Sequence, residues 1–142
     1  MMIQLTAAFL GSIGFAIFLK MKGKQIFYAG LGGLVTWFIY LSVFGLCQSD
    51  FASNLAAAVF VGIYAEIMAR VNRAPATIFL TAAAIPLIPG GKLYYTMYGI
   101  VSQDHMMFME NGSDAVIIAL AISLGFVVVA VLKRYAQKIL KW

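Results

Sequence analysis

Apolar residues run along this chain in long unbroken stretches, divided by short polar punctuation and not alternating with polar neighbours. Runs of that kind predict helices buried in lipid rather than the strands of a barrel. The first stretch covers about Met2–Leu19 and is followed by Lys20, Lys22 and Lys24. The second, about Ile26–Leu46, closes on Cys47-Gln48-Ser49-Asp50, and the third, about Phe51–Ala69, closes on Arg70-Val71-Asn72-Arg73-Ala74-Pro75. Pro75 suits the first turn of the next helix. A fifth stretch, about Ala115–Leu132, follows the polar segment Ser102–Asp114, where Asn111-Gly112 signals a turn and the acids read as a solvated loop.

The fourth stretch, Ala76–Val101, is different because it is interrupted at Ile85-Pro86-Leu87-Ile88-Pro89-Gly90-Gly91-Lys92. As one straight helix it would be about 39 Å long, against a hydrocarbon core of about 30 Å. Pro86 and Pro89 have no amide hydrogen for the carbonyls of Ala82 and Ile85, and Gly90-Gly91 favours turn geometry. Residues 76–85 and 92–101 would each make about half a bilayer of helix, so the break is expected near the midplane. Irregular backbone at that depth is tolerated only where protein or a wet cavity takes its hydrogen bonds. Discontinuous helices of this type are the best pointer in a sequence to a transporter's binding site.

Charge orients the spans. No positive residue precedes the first stretch, which therefore reads as a retained span with its N-terminus outside. Nine of the ten basic residues then fall on the cytoplasmic side, and Asp50, Asp104, Glu110 and Asp114 fall outside. The expected fold is an all-α integral membrane protein forming one transmembrane domain over 1–142. It has five transmembrane helices, N-out/C-in, the fourth broken at Pro86–Gly91. The tail Lys133–Trp142 carries Tyr135, Ile139 and Trp142 on one helical face and its cations largely on the other. It reads as a short interfacial helix against anionic lipid or as an ordinary basic flank with a Trp anchor. Small residues four apart, Ala7/Gly11, Ala29/Gly33 and Ala58/Gly62, permit close helix contact.

Composition narrows the class further. With 63% hydrophobic and 11% charged residues the chain belongs in a bilayer, and its net charge of +5 sits at membrane flanks, so no nucleic-acid partner is expected. The single Cys47 excludes an internal disulfide. One His with scattered acids makes no metal site, there is no candidate serine motif for a triad, and no Walker or dinucleotide motif appears. No metal, cofactor or catalytic residue is expected.

Two ionisable groups stand out. Lys92 would open the second half-helix, where both burial and the helix dipole disfavour a cation. Together with the exposed amides of Gly90, Gly91 and Lys92 it would make a carboxylate site; otherwise it snorkels or pairs with an acid of a partner subunit. Glu66 precedes Arg70 by four residues, which reads either as an i,i+4 pair at the membrane edge or as a proton-coupling carboxylate. Asn54, Tyr64, Thr81, Tyr94, Tyr95 and Tyr98 could line a polar path or simply pack.

The run Ile85-Pro86-Leu87-Ile88-Pro89-Gly90-Gly91-Lys92-Leu93-Tyr94-Tyr95 resembles the threonine/serine exporter family, and the whole chain resembles its small membrane subunit, similar to the C-terminal membrane half of the full-length exporters. The resemblance implies export of small hydroxy-amino acids, or of a dicarboxylate such as succinate in two-component members, driven by an ion gradient. It also implies a larger partner subunit and a multi-pass place in the plasma (cytoplasmic) membrane of a bacterium. Pro86, Pro89, Gly90 and Tyr94 carry over as motif positions. The candidate substrate-binding set is Pro86, Pro89, Gly90, Gly91, Lys92, Tyr94 and Tyr95, with Glu66, Arg70 and Asn54 as coupling or structural candidates. Five spans is an odd number, so a similar five-span partner half would be inserted the other way up. The competing reading is a non-transporting scaffold that stabilises a larger membrane protein. A membrane enzyme would need an acid/base pair at fixed spacing, which is missing.

Overall fold

The computed structural model describes residues 1–140, and all the regular structure in them is helical. The elements are α1 (Met2–Phe18), α2 (Lys24–Cys47), α3 (Asp50–Asn72), α4 (Ala76–Ala84), a 3₁₀ turn (Ile85–Leu87), α5 (Gly90–Val101) and α6 (His105–Ile139). Three of them, α2, α3 and α6, are long and apolar enough to cross a bilayer. The bent pair α4–α5 can count as a fourth, and α1, at 17 residues, is a shorter apolar helix. Local chemistry sets several of the boundaries. The Ser49 hydroxyl accepts from the Ala52 amide to cap α3, and the Asp104 carboxylate accepts from the Met107 amide to cap α6. Lys20, Gln48, Arg73 and Gln103 end helices in the left-handed region at φ of 50–58°, a conformation more usual for glycine.

The core is built from small residues. One cluster joins Ala16, Ala29, Ala65, Phe79 and Ala82; a second joins Ala57, Ala58, Val61, Ala83 and Leu87. Lipid supplies no hydrophobic drive between helices, so close approach of backbones has to supply contact energy instead. Two glycines show how close that approach is. A Cβ on Gly33 would strike the Ser12 hydroxyl, and one on Gly125 would stand 2.6 Å from the Ala58 methyl and 3.1 Å from the Leu55 carbonyl oxygen. The Ala29/Gly33 and Ala58/Gly62 pairs lie in such seams, whereas a Cβ on Gly11 would meet nothing within 4 Å.

α3 and α6 run side by side in the same direction. Ala58 meets Gly125, Gly62 meets Val129 and Glu66 meets Lys133, one register of 67 positions throughout. Continued along both helices, it sets Ile139 level with Asn72 and leaves the first three turns of α6 overhanging the start of α3. α5 packs antiparallel on that overhang. Gly99 lies against the Phe108 amide, where a Cβ would be 2.7 Å away, and Thr96 faces Gly112.

Two expectations are corrected here. Ser102–Asp114 is not a loop, because α6 starts at His105 and Asn111-Gly112 are helical, with Gly112 packed under α5. No separate interfacial helix forms at 133–140: Lys133, Arg134, Tyr135, Lys138 and Ile139 continue α6, while Lys141 and Trp142 lie outside the described residues. The break has a definite level along the helices. Leu87 shares a cluster with Ala57, Ala58 and Ile122, so the interruption lies toward the Asp50 end of α3 and level with the middle of α6. The helix order gathers Lys20, Lys22, Lys24, Arg70, Arg73, Lys133, Arg134 and Lys138 at the opposite end.

Candidate functional site

The break has a definite shape. α4 stops at Ala84, Ile85–Leu87 make one 3₁₀ turn, Ile88 is extended (φ −62°, ψ 123°), and Pro89 caps α5 from a non-helical conformation. The two helical arms meet at a bend of 59°. The Ile88 amide donates to the Ile85 carbonyl at 3.2 Å, the Gly90 amide to the Ile88 carbonyl at 2.7 Å, and the Leu93 amide to the Pro89 carbonyl at 3.0 Å. Among the described residues nothing accepts from the amides of Gly91 and Lys92. Those two N–H groups, at the positive end of the α5 dipole, are free for an anion. Gly90 and Gly91 do not supply the expected turn, since they are the first two helical residues of α5 and only Gly23 among the described glycines has positive φ. A Cβ at either would meet nothing within 4 Å. Their effect is to leave the backbone bare to an approaching ligand.

This bare turn forms one wall of a cavity of about 400 Å³, lined also by Trp37, Tyr40, Asp50, Asn54 and Asn111. Charge of both signs gathers around it. Lys92 Nζ donates to Asp114 Oδ2 at 2.7 Å, and both side chains are a little over one third exposed. The Tyr40 hydroxyl donates to Asp50 Oδ1 at 2.8 Å. Trp37 stacks on Tyr40 with ring centroids 4.7 Å apart, and its indole N–H is buried without an acceptor among the described residues. Leaving a buried donor unpaired costs about 1–3 kcal/mol. Asn54 and Asn111 spend their amide NH₂ groups on the Asp50 and Met107 carbonyls of their own helices.

Of the residues singled out from the sequence, Pro86, Pro89, Gly90, Gly91, Lys92, Tyr95 and Asn54 converge on the cavity. Tyr94 does not line it; the ring is exposed and stacks on Tyr98 at 6.3 Å. Lys92 pairs with an acid of its own chain, a partner that the sequence did not suggest, because α6 begins early enough to carry Asp114 alongside α5. Glu66 and Arg70 are remote from the cavity, and Glu66 pairs with Lys133 of α6 at 2.7 Å rather than with Arg70. Tyr64 donates to the Tyr28 carbonyl at 2.6 Å, bracing α3 on α2, and exposed Thr81 donates to the carbonyl of Thr77 in its own helix. Sequence reasoning missed Trp37, Tyr40, Asp50, Asn111 and Asp114 as lining or charged partners. The spacing of Trp37, Tyr40 and Phe44 did carry a signal: it puts three rings on one helical face, and they stack in that order. Among the described residues no group of three His, Cys, Asp or Glu side chains gathers to hold a metal.

A family model described as Threonine/Serine exporter, ThrE, matches residues 4–132, more than nine tenths of the chain. No solved structure matches it.

Proposed function

The chain belongs to the threonine/serine exporter family, and we propose that it is one subunit of a secondary active exporter whose substrate is a zwitterionic amino acid of the threonine/serine type. It is a multi-pass helical membrane protein of a transporter family. The single observation that carries the substrate reading is the pairing of charges at the break. The Gly91 and Lys92 amides and the Lys92 ammonium suit an α-carboxylate, while Asp114 and Asp50 suit an α-ammonium. A partly exposed ion pair is worth only about 0–1 kcal/mol, so a zwitterion could replace Asp114 on Lys92 and Lys92 on Asp114 at little cost. A dicarboxylate such as succinate would meet two carboxylates and one ammonium, a mismatch in this chain alone.

The wider arrangement follows the same reading. Five spans with the N-terminus outside put the basic end of the bundle at the cytoplasm of a bacterial plasma membrane, and the cavity toward the outer face. A larger partner half of opposite topology would close the cavity. In its favour, α5 packs chiefly on α6 while Tyr94, Tyr95, Met97 and Tyr98 stay exposed. An ion gradient supplies the energy. Glu66 and Arg70, at the far end, take no part in the proposed site.

The test is an export assay in cells co-expressing the partner, with threonine, serine and succinate loaded in parallel. Threonine and serine should leave and compete with each other, and Lys92→Ala should lose both. Preferential export of succinate would overturn the zwitterion reading. Robust flux from this chain reconstituted alone would overturn the two-half arrangement.

A further inference from the structure

A second concavity lies at the opposite end of the bundle, in the seam between α3 and α6. It holds about 300 Å³ and has two kinds of wall. Ile63 and Ile67 of α3 face Leu132 and Ala136 of α6 along an apolar groove, and Glu66, Arg70, Lys133 and Gln137 stand at its polar mouth. Glu66 and Lys133 neutralise each other at 2.7 Å. Arg70 is exposed and has no hydrogen-bonded acceptor among the described residues, so the mouth carries one uncompensated positive charge.

We infer that this groove binds one anionic phospholipid, its phosphate on the Arg70 guanidinium and an acyl chain along Ile63, Ile67 and Leu132. The depth fits. The long apolar run of α6 ends at Leu132, which marks the edge of the hydrocarbon. By the shared register Arg70 is level with Gln137, about one helical turn past the Glu66–Lys133 rung. A turn is about 5.4 Å, and the headgroup layer extends roughly 5–7 Å beyond the hydrocarbon, which is where the phosphate lies. The charge fits as well: a net +1 mouth matches one phosphodiester, and a guanidinium can grip it in a bidentate way. Basic pockets between transmembrane helices on the cytoplasmic side are a known shape for such lipids.

The test uses the purified full chain in detergent, with phosphatidylglycerol or phosphatidylcholine added and bound lipid read by native mass spectrometry. Both lipids carry a phosphodiester, but phosphatidylcholine also brings a choline cation to a mouth already at +1, so wild-type protein should retain phosphatidylglycerol about tenfold better than phosphatidylcholine. Arg70→Gln should bring the two lipids to parity, and Arg73→Gln, outside the groove, should leave the preference within about twofold. Glu66→Gln releases Lys133 to the phosphate and should strengthen retention severalfold, a gain that misfolding cannot mimic. Equal retention of both lipids by the wild type would overturn the inference. So would an Arg73→Gln loss as large as that of Arg70→Gln, which would indicate only the diffuse field of the basic end. Displacement of the lipid by millimolar inorganic phosphate would overturn it in favour of a simple anion site.

Discussion

The two ion pairs of this bundle are nearly the same object in different places. Lys92–Asp114 and Glu66–Lys133 both close at 2.7 Å, both join α6 to another helix, and their lysines are 39% and 38% exposed. Their surroundings differ. Glu66–Lys133 is a rung of a straight seam, one turn from the Gly62–Val129 contact, between helices that keep a single register. Lys92–Asp114 hangs at the first turn of a helix that starts beside a break, at a cavity whose lining also includes Trp37, with its unpaired indole N–H, and the residues of the two free amides. One pair finishes a packed interface; the other guards donors that have nothing to bind. Distance and exposure cannot separate a structural ion pair from a working one. The unsatisfied groups next to it can.

The largest expected effect comes from attacking the seam itself. Gly125→Leu would drive a side chain into the Ala58 methyl and the backbone of Leu55 and Val59, none of which can swing away. Overpacking against rigid backbone should cost about 3 kcal/mol, the upper end of the usual range, and appear as a collapsed thermal midpoint and loss of monodisperse protein. Gly90→Ala is the matching control at the break, where a Cβ meets nothing within 4 Å, and stability should hold. Equal damage from both would mean that the break is packed as tightly as the seam.

Next in size is Lys92→Ala. Losing one charge-assisted contact of about 1.5–3 kcal/mol should lower export roughly ten- to a hundredfold, with membrane insertion unchanged. Exchanging the partners, Lys92→Asp with Asp114→Lys, keeps an ion pair but sets a carboxylate at the α5 N-terminus where the substrate's own carboxylate should go. Export should stay lost. Recovery of export by the exchange would make this pair a brace like the other one.

Trp37→Phe should act in opposite directions on the two readouts. It removes a buried donor that has no partner, so stability should hold or rise by up to about 1 kcal/mol. If the indole N–H meets the substrate, apparent affinity should fall about three- to tenfold, one neutral hydrogen bond. Unchanged transport would detach Trp37 from the site.

Much of this contrast was legible in the amino-acid order. The limits of α2 and α3, Lys24–Cys47 and Asp50–Asn72, fall within a few residues of the apolar runs that announced them, because lipid exposure leaves a composition signal that polar caps end sharply. The break was legible because proline removes a donor wherever it stands. The pairing was not. Asp114 looked like loop because polar residues precede it, yet Asp104 is a capping residue and no proline follows it up to Ile139, which was the available sign of one long helix. The course of α5 was not legible for a related reason. Counting half-helices assumes that they continue one line, whereas α5 turns away by 59° to lie on the overhang of α6. Glu66 was matched with Arg70 by spacing within its helix, a rule blind to a neighbouring helix that offers Lys133.

The smallest expected effect is the exchange at the packed seam, Glu66→Lys with Lys133→Glu. The pair is partly exposed and contributes about 0–1 kcal/mol, and exchange preserves both the attraction and the net charge of the groove mouth. Lys at 66 would stand four residues before Arg70, a like-charge contact worth a few tenths of a kcal/mol at about the i,i+4 scale. The thermal midpoint should therefore shift little, and export should remain within about twofold of wild type. That smallness is what separates the two pairs. The seam tolerates either polarity because the Ala58–Gly125 and Gly62–Val129 contacts that precede the rung hold the helices in register whichever partner carries the acid. At the break the polarity is fixed by the dipole of α5 and by what its free amides face. An exchange at Glu66–Lys133 that abolished export would place a coupling carboxylate at the far end of α3 and erase the distinction between the two pairs.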